Sequence, residues 1–136
     1  DVVVAGLLPS HRVMPQVDVV VTMGGQGSLQ TAMASGTPLV AIPLHPEQEH
    51  NVAIAVRQGV ALAVAPRHAR TARLTQAVRR IVDEPGFASR AQRLRALFDG
   101  VDGAHDAAAA ICRYLDRRVP ATAAAEGRLL QAAAGG

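Results

Sequence analysis

The chain contains no lysine, no tryptophan and a single cysteine, Cys112, among its 136 residues. One cysteine excludes an internal disulfide and a thiolate zinc cluster, and it suits a reducing compartment. The aromatics are Phe87, Phe98 and Tyr114, too few for the stacking platform of a single-strand nucleic-acid binder. No apolar run approaches the roughly 20 residues needed to cross a bilayer, so no transmembrane segment is predicted. A cytoplasmic protein is therefore expected. Asp1 stands where a start methionine would be, and no charged stretch marks a secretory signal; the chain reads as a piece of something longer.

Apolar residues make up 49% of the chain, enough for one globular core at this length. The 14 basic residues are all arginine and face 11 acidic ones, for a formal charge of +3. Such a balance invites a nucleic-acid reading. The arginines from Arg67 to Arg95 are interrupted by Asp83 and Glu84, however, and carry no groove-reading motif. Solvated helix faces account for them, and no nucleic-acid partner is predicted.

Four short apolar runs, Val2 to Ala5, Val17 to Thr22, Leu39 to Pro43 and Val60 to Val64, read as strands, the middle two as strands buried on both faces. Between them, Ser28 to Ser35 closes on Gly36 and Pro46 to Gln58 closes on Gly59, as crossover helices do. Alternation of this kind predicts a Rossmann-like α/β fold, a parallel sheet flanked by helices with right-handed crossovers. Further on, Leu74, Val78, Ile81 and Val82 form one helical stripe, and Phe87, Ala91, Leu94 and Phe98 another, broken by Pro85-Gly86. A third helix, carrying Ala104, Ala108, Ile111 and Leu115, follows Gly100 to Gly103. Residues 1–118 are read as one domain, and 119–136 as an Ala/Gly-rich tail, frayed or docking on a neighbour.

Two stretches carry chemistry. In the first, a strand ends at Thr22 and a glycine-rich turn, Gly24-Gly25-Gln26-Gly27-Ser28, opens into a helix. Glycines free the sign of φ and let the backbone approach a ligand, while amides at a helix start carry the positive end of its dipole. Ser28 would cap the helix or bond an anion oxygen. The same glycines also serve a tight turn with no ligand. The second stretch, Pro43-Leu-His-Pro-Glu-Gln-Glu-His-Asn51, again runs from a strand end into a helix. His45, Glu47, Gln48 and Asn51 can take hydroxyl groups, although Pro46, Glu47 and Glu49 also suit an ordinary helix start. His45, Glu47, Glu49 and His50 lack a recognised metal-ligand spacing, so no metal is assigned.

Taken in order, D-x-V-V-T-x-G-G-x-G-S-x-x-x-A-x-x-x-G-x-P-L-V-x-x-P-x-x-x-E-Q-x-x-N resembles the C-terminal nucleotide-sugar-binding domain of GT-B glycosyltransferases, nearest to the UDP-glycosyltransferase-like enzymes of natural-product biosynthesis. The resemblance spans about Val2 to Leu115. It implies a diphosphate held at Gly24 to Ser28, and donor-sugar hydroxyls held by Glu47 and Gln48, with His45 and Asn51 beside them. It also implies that a loop before the second strand, with His11, Arg12, Val13 and Met14, faces the nucleobase and ribose, to which Thr31 is added. Such enzymes are usually inverting and metal-independent and need no cofactor, with a UDP- or dTDP-sugar as substrate. Their acceptor pocket and general base lie in an N-terminal domain, so no catalytic residue is expected here. The chain departs from the family at Met23, where His is common, and at Thr31, where Glu is common. Each lost hydrogen bond to a charged group is worth about 1.5–3 kcal/mol, which leaves a non-catalytic donor-binding or auxiliary subunit as the alternative.

Overall fold

The computed structural model describes residues 2–118, and the Ala/Gly-rich segment 119–136 lies outside them. Two compact units divide at Asp99 and Gly100, within the span that the sequence suggests is one domain. The break falls at a glycine with φ of +78°, a conformation that interrupts a helix at little cost.

The first unit holds a three-stranded parallel sheet in the order β1-β2-β3, with β1 at Val20–Thr22, β2 at Leu39–Ala41 and β3 at Ala61–Ala63. Val20 stands opposite Leu39, which stands opposite Ala61. Before the sheet come a short helix, α1 (Ser10–Val13), and a 3-10 turn over Met14–Gln16. Helices α2 (Gln26–Ser35) and α3 (Pro46–Arg57) are the two crossovers. A 3-10 turn at Pro66–His68 leads to α4 (Ala72–Asp83), and α5 (Pro85–Arg95) follows after a single residue, Glu84. Gly36 and Gly59 follow α2 and α3 with φ of +72° and +69°, the left-handed stop expected of them.

Period-2 alternation distributes the core over both faces of the sheet. Leu39, Ala41 and Ala61 pack with Leu29, Ala32, Val52 and Ala55 under α2 and α3, while Val40 packs with Val64, Ile81 and Phe87 under α4 and α5. Only β2 is buried at every position; Val21 in β1 is 50% exposed. The expectation of two strands buried on both faces thus holds for β2 and fails for β1, because α4 covers β2 and β3. The first apolar run is corrected too: Val2, Val3 and Val4 form no strand and are at least 90% exposed. Valine content makes a strand only where an edge is paired, and no described strand lies alongside.

Helix stripes are largely as predicted, with Leu74, Val78 and Ile81 inward on α4 and Phe87, Ala91 and Leu94 inward on α5. Val82 and Phe98 are corrections, since both are exposed; a helix covers a face only about 100° wide. Arg90 is another, read as solvated but half-buried here. Its Nε donates to the Gly59 carbonyl at 2.7 Å, and its guanidinium lies 5.1 Å from the centre of the Phe87 ring. Carbonyls at the end of a helix lack partners and sit at the negative end of the dipole, which draws a guanidinium in. The second unit contains α6 (Gly103–Arg118), on which Ile111 and Leu115 are exposed.

Candidate functional site

Parallel pairing places every strand's carboxyl end on one edge of the sheet. Gly24 to Ser28 follows β1 on that edge and His45 to Asn51 follows β2, so α2 and α3 begin side by side. Parallel strands lie about 4.8 Å apart, which sets the scale of their separation. The helix ladder of α2 begins with Leu29 N–H donating to the Gly25 carbonyl at 3.1 Å. The amides of Gln26, Gly27 and Ser28 therefore have no carbonyl inside the helix and carry its positive end.

The three glycines of the turn do different things. Gly24 has φ of +88°, and a Cβ there would strike Val52 of α3. Its N–H donates to Thr22 Oγ1 at 3.3 Å. Gly24 therefore locks the turn against α3. A Cβ at Gly25 or Gly27 meets nothing within 4 Å, and neither has a positive φ, so the freedom of φ expected at all three is used at Gly24 alone. What Gly25 and Gly27 provide is unobstructed approach to the amides beside them. The helix also starts earlier than predicted: Gly25 is the N-cap, no side chain caps it, and Ser28 lies inside the first turn. Ser28 is therefore no cap, and its hydroxyl and amide belong to the same open turn.

On α3, His45 is the N-cap with an extended backbone (φ −137°, ψ 155°), its side chain makes no cap bond, and Pro46 opens the helix. Asn51 Nδ2 donates to Glu47 Oε1 at 2.7 Å, and Leu44 N–H donates to Gln48 Oε1 at 2.8 Å. These bonds orient both side chains. Glu47 keeps a second carboxylate oxygen as acceptor, and Gln48 keeps its amide NH2 as donor. One acceptor and one donor on successive residues match neighbouring hydroxyls. A cleft of about 200 Å³ between α2 and α3 is lined by Gln26, Gln30 and Asn51 together with Leu29, Met33 and Ile54. Residues of both stretches thus meet in one hollow, and Gln30 joins them.

Other candidates are placed differently. His11 and Arg12 are exposed on α1 and Val13 is half-buried, but Met14 is a core residue whose carbonyl accepts from Thr37 Oγ1 at 2.6 Å. Thr37 follows the far end of α2, whose 10 residues span about 15 Å. Met14 is thereby corrected from a nucleobase neighbour to a support at the opposite edge of the sheet. Its unbranched apolar side chain already suited a core gap. Thr31 Oγ1 donates to the Gly27 carbonyl at 2.8 Å, while Met23, 55% exposed, precedes the turn with a side chain that has no hydrogen to donate.

The profile of the erythromycin biosynthesis protein CIII-like C-terminal domain family matches residues 1–100. The chain belongs to that family. This EryCIII-like C-terminal domain is 37% identical over 108 residues to 4'-demethylrebeccamycin synthase of Lentzea aerocolonigenes, covering 79% of this chain and 25% of that protein. It superposes on the glycotransferase of kitacinnamycin with a TM-score of 0.71 at 33% identity, over 79% of this chain and 28% of the other. It also superposes on the glycosyltransferase SsfS6 of Streptomyces sp. SF2575, solved with thymidine diphosphate, with a TM-score of 0.59 at 30% identity, over 67% of this chain and 24% of that one. Its fold is that of the C-terminal part of a GT-B glycosyltransferase. The EryCIII-like domain spans about a quarter of the length of the relatives it matches. No helix among the described residues is long and apolar enough to cross a membrane.

Proposed function

We propose that this EryCIII-like domain binds the donor of a natural-product glycosyltransferase, a nucleoside diphosphate sugar, for transfer to a small-molecule acceptor. The observation that carries this reading is the juxtaposition of two helix starts on one sheet edge. The amides of Gln26, Gly27 and Ser28 stand open at one, and an oriented acceptor–donor pair stands at Glu47 and Gln48 at the other. The diphosphate takes the α2 amides and the Ser28 hydroxyl, and the sugar hydroxyls take Glu47 and Gln48, with His45 and Asn51 alongside. His11 and Arg12 are the members of their segment left to meet the nucleobase. Charge developing on the leaving diphosphate is met by amides and the helix dipole, so the reaction needs neither a metal nor another cofactor. The transfer is inverting, as in the resembling enzymes, and moves a hexose from a UDP or dTDP carrier; the thymidine diphosphate bound to SsfS6 favours dTDP. Acceptor and general base come from a further domain or chain, in the cytoplasm, and these 136 residues alone bind without turnover.

Isothermal titration with dTDP and UDP tests the reading. Binding that disappears in Gly27→Val, with the variant's melting curve intact, supports it; binding that survives Gly27→Val removes the turn as the diphosphate site. A second reading, an auxiliary subunit that holds a donor without using it, is favoured by Met23 and by the Thr31 hydroxyl already spent on Gly27. Met23→His with Thr31→Glu separates the two. A gain of tenfold or more in donor affinity marks a decayed site, and no gain means that residues such as Gln26 and Gln30 already serve.

A further inference from the structure

A hollow of about 350 Å³ bordered by β3 and α4 is lined by Arg67, His68, Arg73, Gln76 and Arg80. It shares no residue with the α2–α3 cleft, and α4 covers the sheet face opposite to α2 and α3. Arg80 is paired with Glu84, Nε to Oε1 at 2.8 Å, in the one ion pair found among the described residues. Arg67 and Arg73 therefore have no carboxylate. Instead, Arg73 Nη1 lies 2.7 Å from His68 Nε2. A guanidinium only donates, so Nε2 accepts and the imidazole is neutral with its proton on Nδ1. Loss of water, then the charges of Arg73 and Arg67, hold His68 below the usual histidine range. The lining thus supplies donors from Arg67, Arg73 and Arg80, and Gln76 offers both kinds of group.

The placement of these charges adds a second argument. Arg73 lies in the first turn of α4, just after Arg67 and Arg70, and that turn contains no acid. Cations at the positive end of a helix repel its dipole and one another. Among the described residues no carboxylate pairs with Arg67 or Arg73, and neutral His68 takes a hydrogen bond from Arg73 without adding negative charge, so an anion in the hollow would offset the repulsion.

We propose that this hollow is a second anion site, separate from the Gly24 to Ser28 turn, and that it takes the phosphate of a small phosphate monoester. Guanidinium groups match phosphate oxygens in paired hydrogen bonds. The volume lies at the small end of the roughly 300–1,000 Å³ typical of ligand pockets, which favours a compact ligand over a polymer. Gln76 is placed to hold a hydroxyl of its carbon skeleton.

Inorganic phosphate titrated into the full chain at constant ionic strength, followed by nitrogen-15 NMR, tests this. Saturable shifts at Arg67, His68 and Arg73 are expected, unchanged in Gly27→Val and weakened at least tenfold in Arg67→Gln and in Arg73→Gln. The Gly27→Val arm keeps the outcome independent of the donor site. Shifts confined to Gly24 to Ser28, equal shifts with chloride, or arginine variants that bind as before would each overturn the proposal. So would a DNA duplex that displaces phosphate while shifting Arg93 and Arg95 as well. Without phosphate, Arg67→Gln raises the melting temperature by relieving repulsion; a lowered one assigns Arg67 to the fold and sinks the idea.

Discussion

At the scale of single residues, neighbouring glycines differ in what they do: one fixes the turn and the next leaves space beside it. Gly24 holds a positive φ against Val52, and Gly25 does neither. Gly24→Ala should lose at least the about 1–3 kcal/mol that a strained backbone costs, measured by urea unfolding. Gly25→Ala should stay within about 0.5 kcal/mol of the parent. A Gly24→Ala variant as stable as the parent would deny the lock between turn and α3. The sequence shows the glycines but not this division, because φ and the distance to Val52 depend on how α3 returns to the sheet. His68 offers a second check. Its pKa is lowered, so the unfolded chain binds the proton more readily. The stability it contributes is whole above pH 6.5 and declines as pH falls through that value. An NMR titration should find its pKa below that of the free side chain and returning upward in Arg73→Gln.

Among the secondary-structure elements, α5 is tied to its neighbours by two polar side chains reaching glycine carbonyls. Arg90 reaches Gly59, and Gln92 Nε2 donates to the Gly36 carbonyl at 3.1 Å. Both carbonyls follow crossover helices. Arg90→Ala should cost about 2 kcal/mol, the worth of a charged hydrogen bond plus part of a cation–π contact, read as a lowered unfolding midpoint. A loss under about 0.5 kcal/mol would return Arg90 to the class of solvated arginines. The periodicity of α4 and α5 was legible because Leu74, Val78, Ile81, Phe87 and Ala91 repeat at helical spacing. Arg90 was not, since no sequence pattern reveals a long-range bond to a carbonyl 31 residues away. Val2 to Ala5 shows the converse error: local composition suited a strand, and pairing, which is not local, decided otherwise.

For the whole molecule, the alternation of short apolar runs with glycine-terminated helices was enough to foresee a parallel sheet whose strands share one carboxyl edge. The same run of residues showed which stretches would lie on that edge. It did not show that Met14 supports the opposite edge, nor that basic side chains collect beside α4, because both follow from packing between distant segments. The sheet itself hangs on Leu39, Val40 and Ala41, each fully buried. Leu39→Ala should cost about 2–5 kcal/mol by calorimetry, and a loss under about 1 kcal/mol would mean that this unit lacks a fixed core. β2 also joins the two helices of the proposed donor site, since α2 leads into it and α3 leads out. Exchange of its amide hydrogens for deuterium therefore requires the same opening that would dismantle both helix starts. Nucleotide at 100 times its dissociation constant should slow that exchange about 100-fold, so three apolar residues that touch no ligand would serve as its clock.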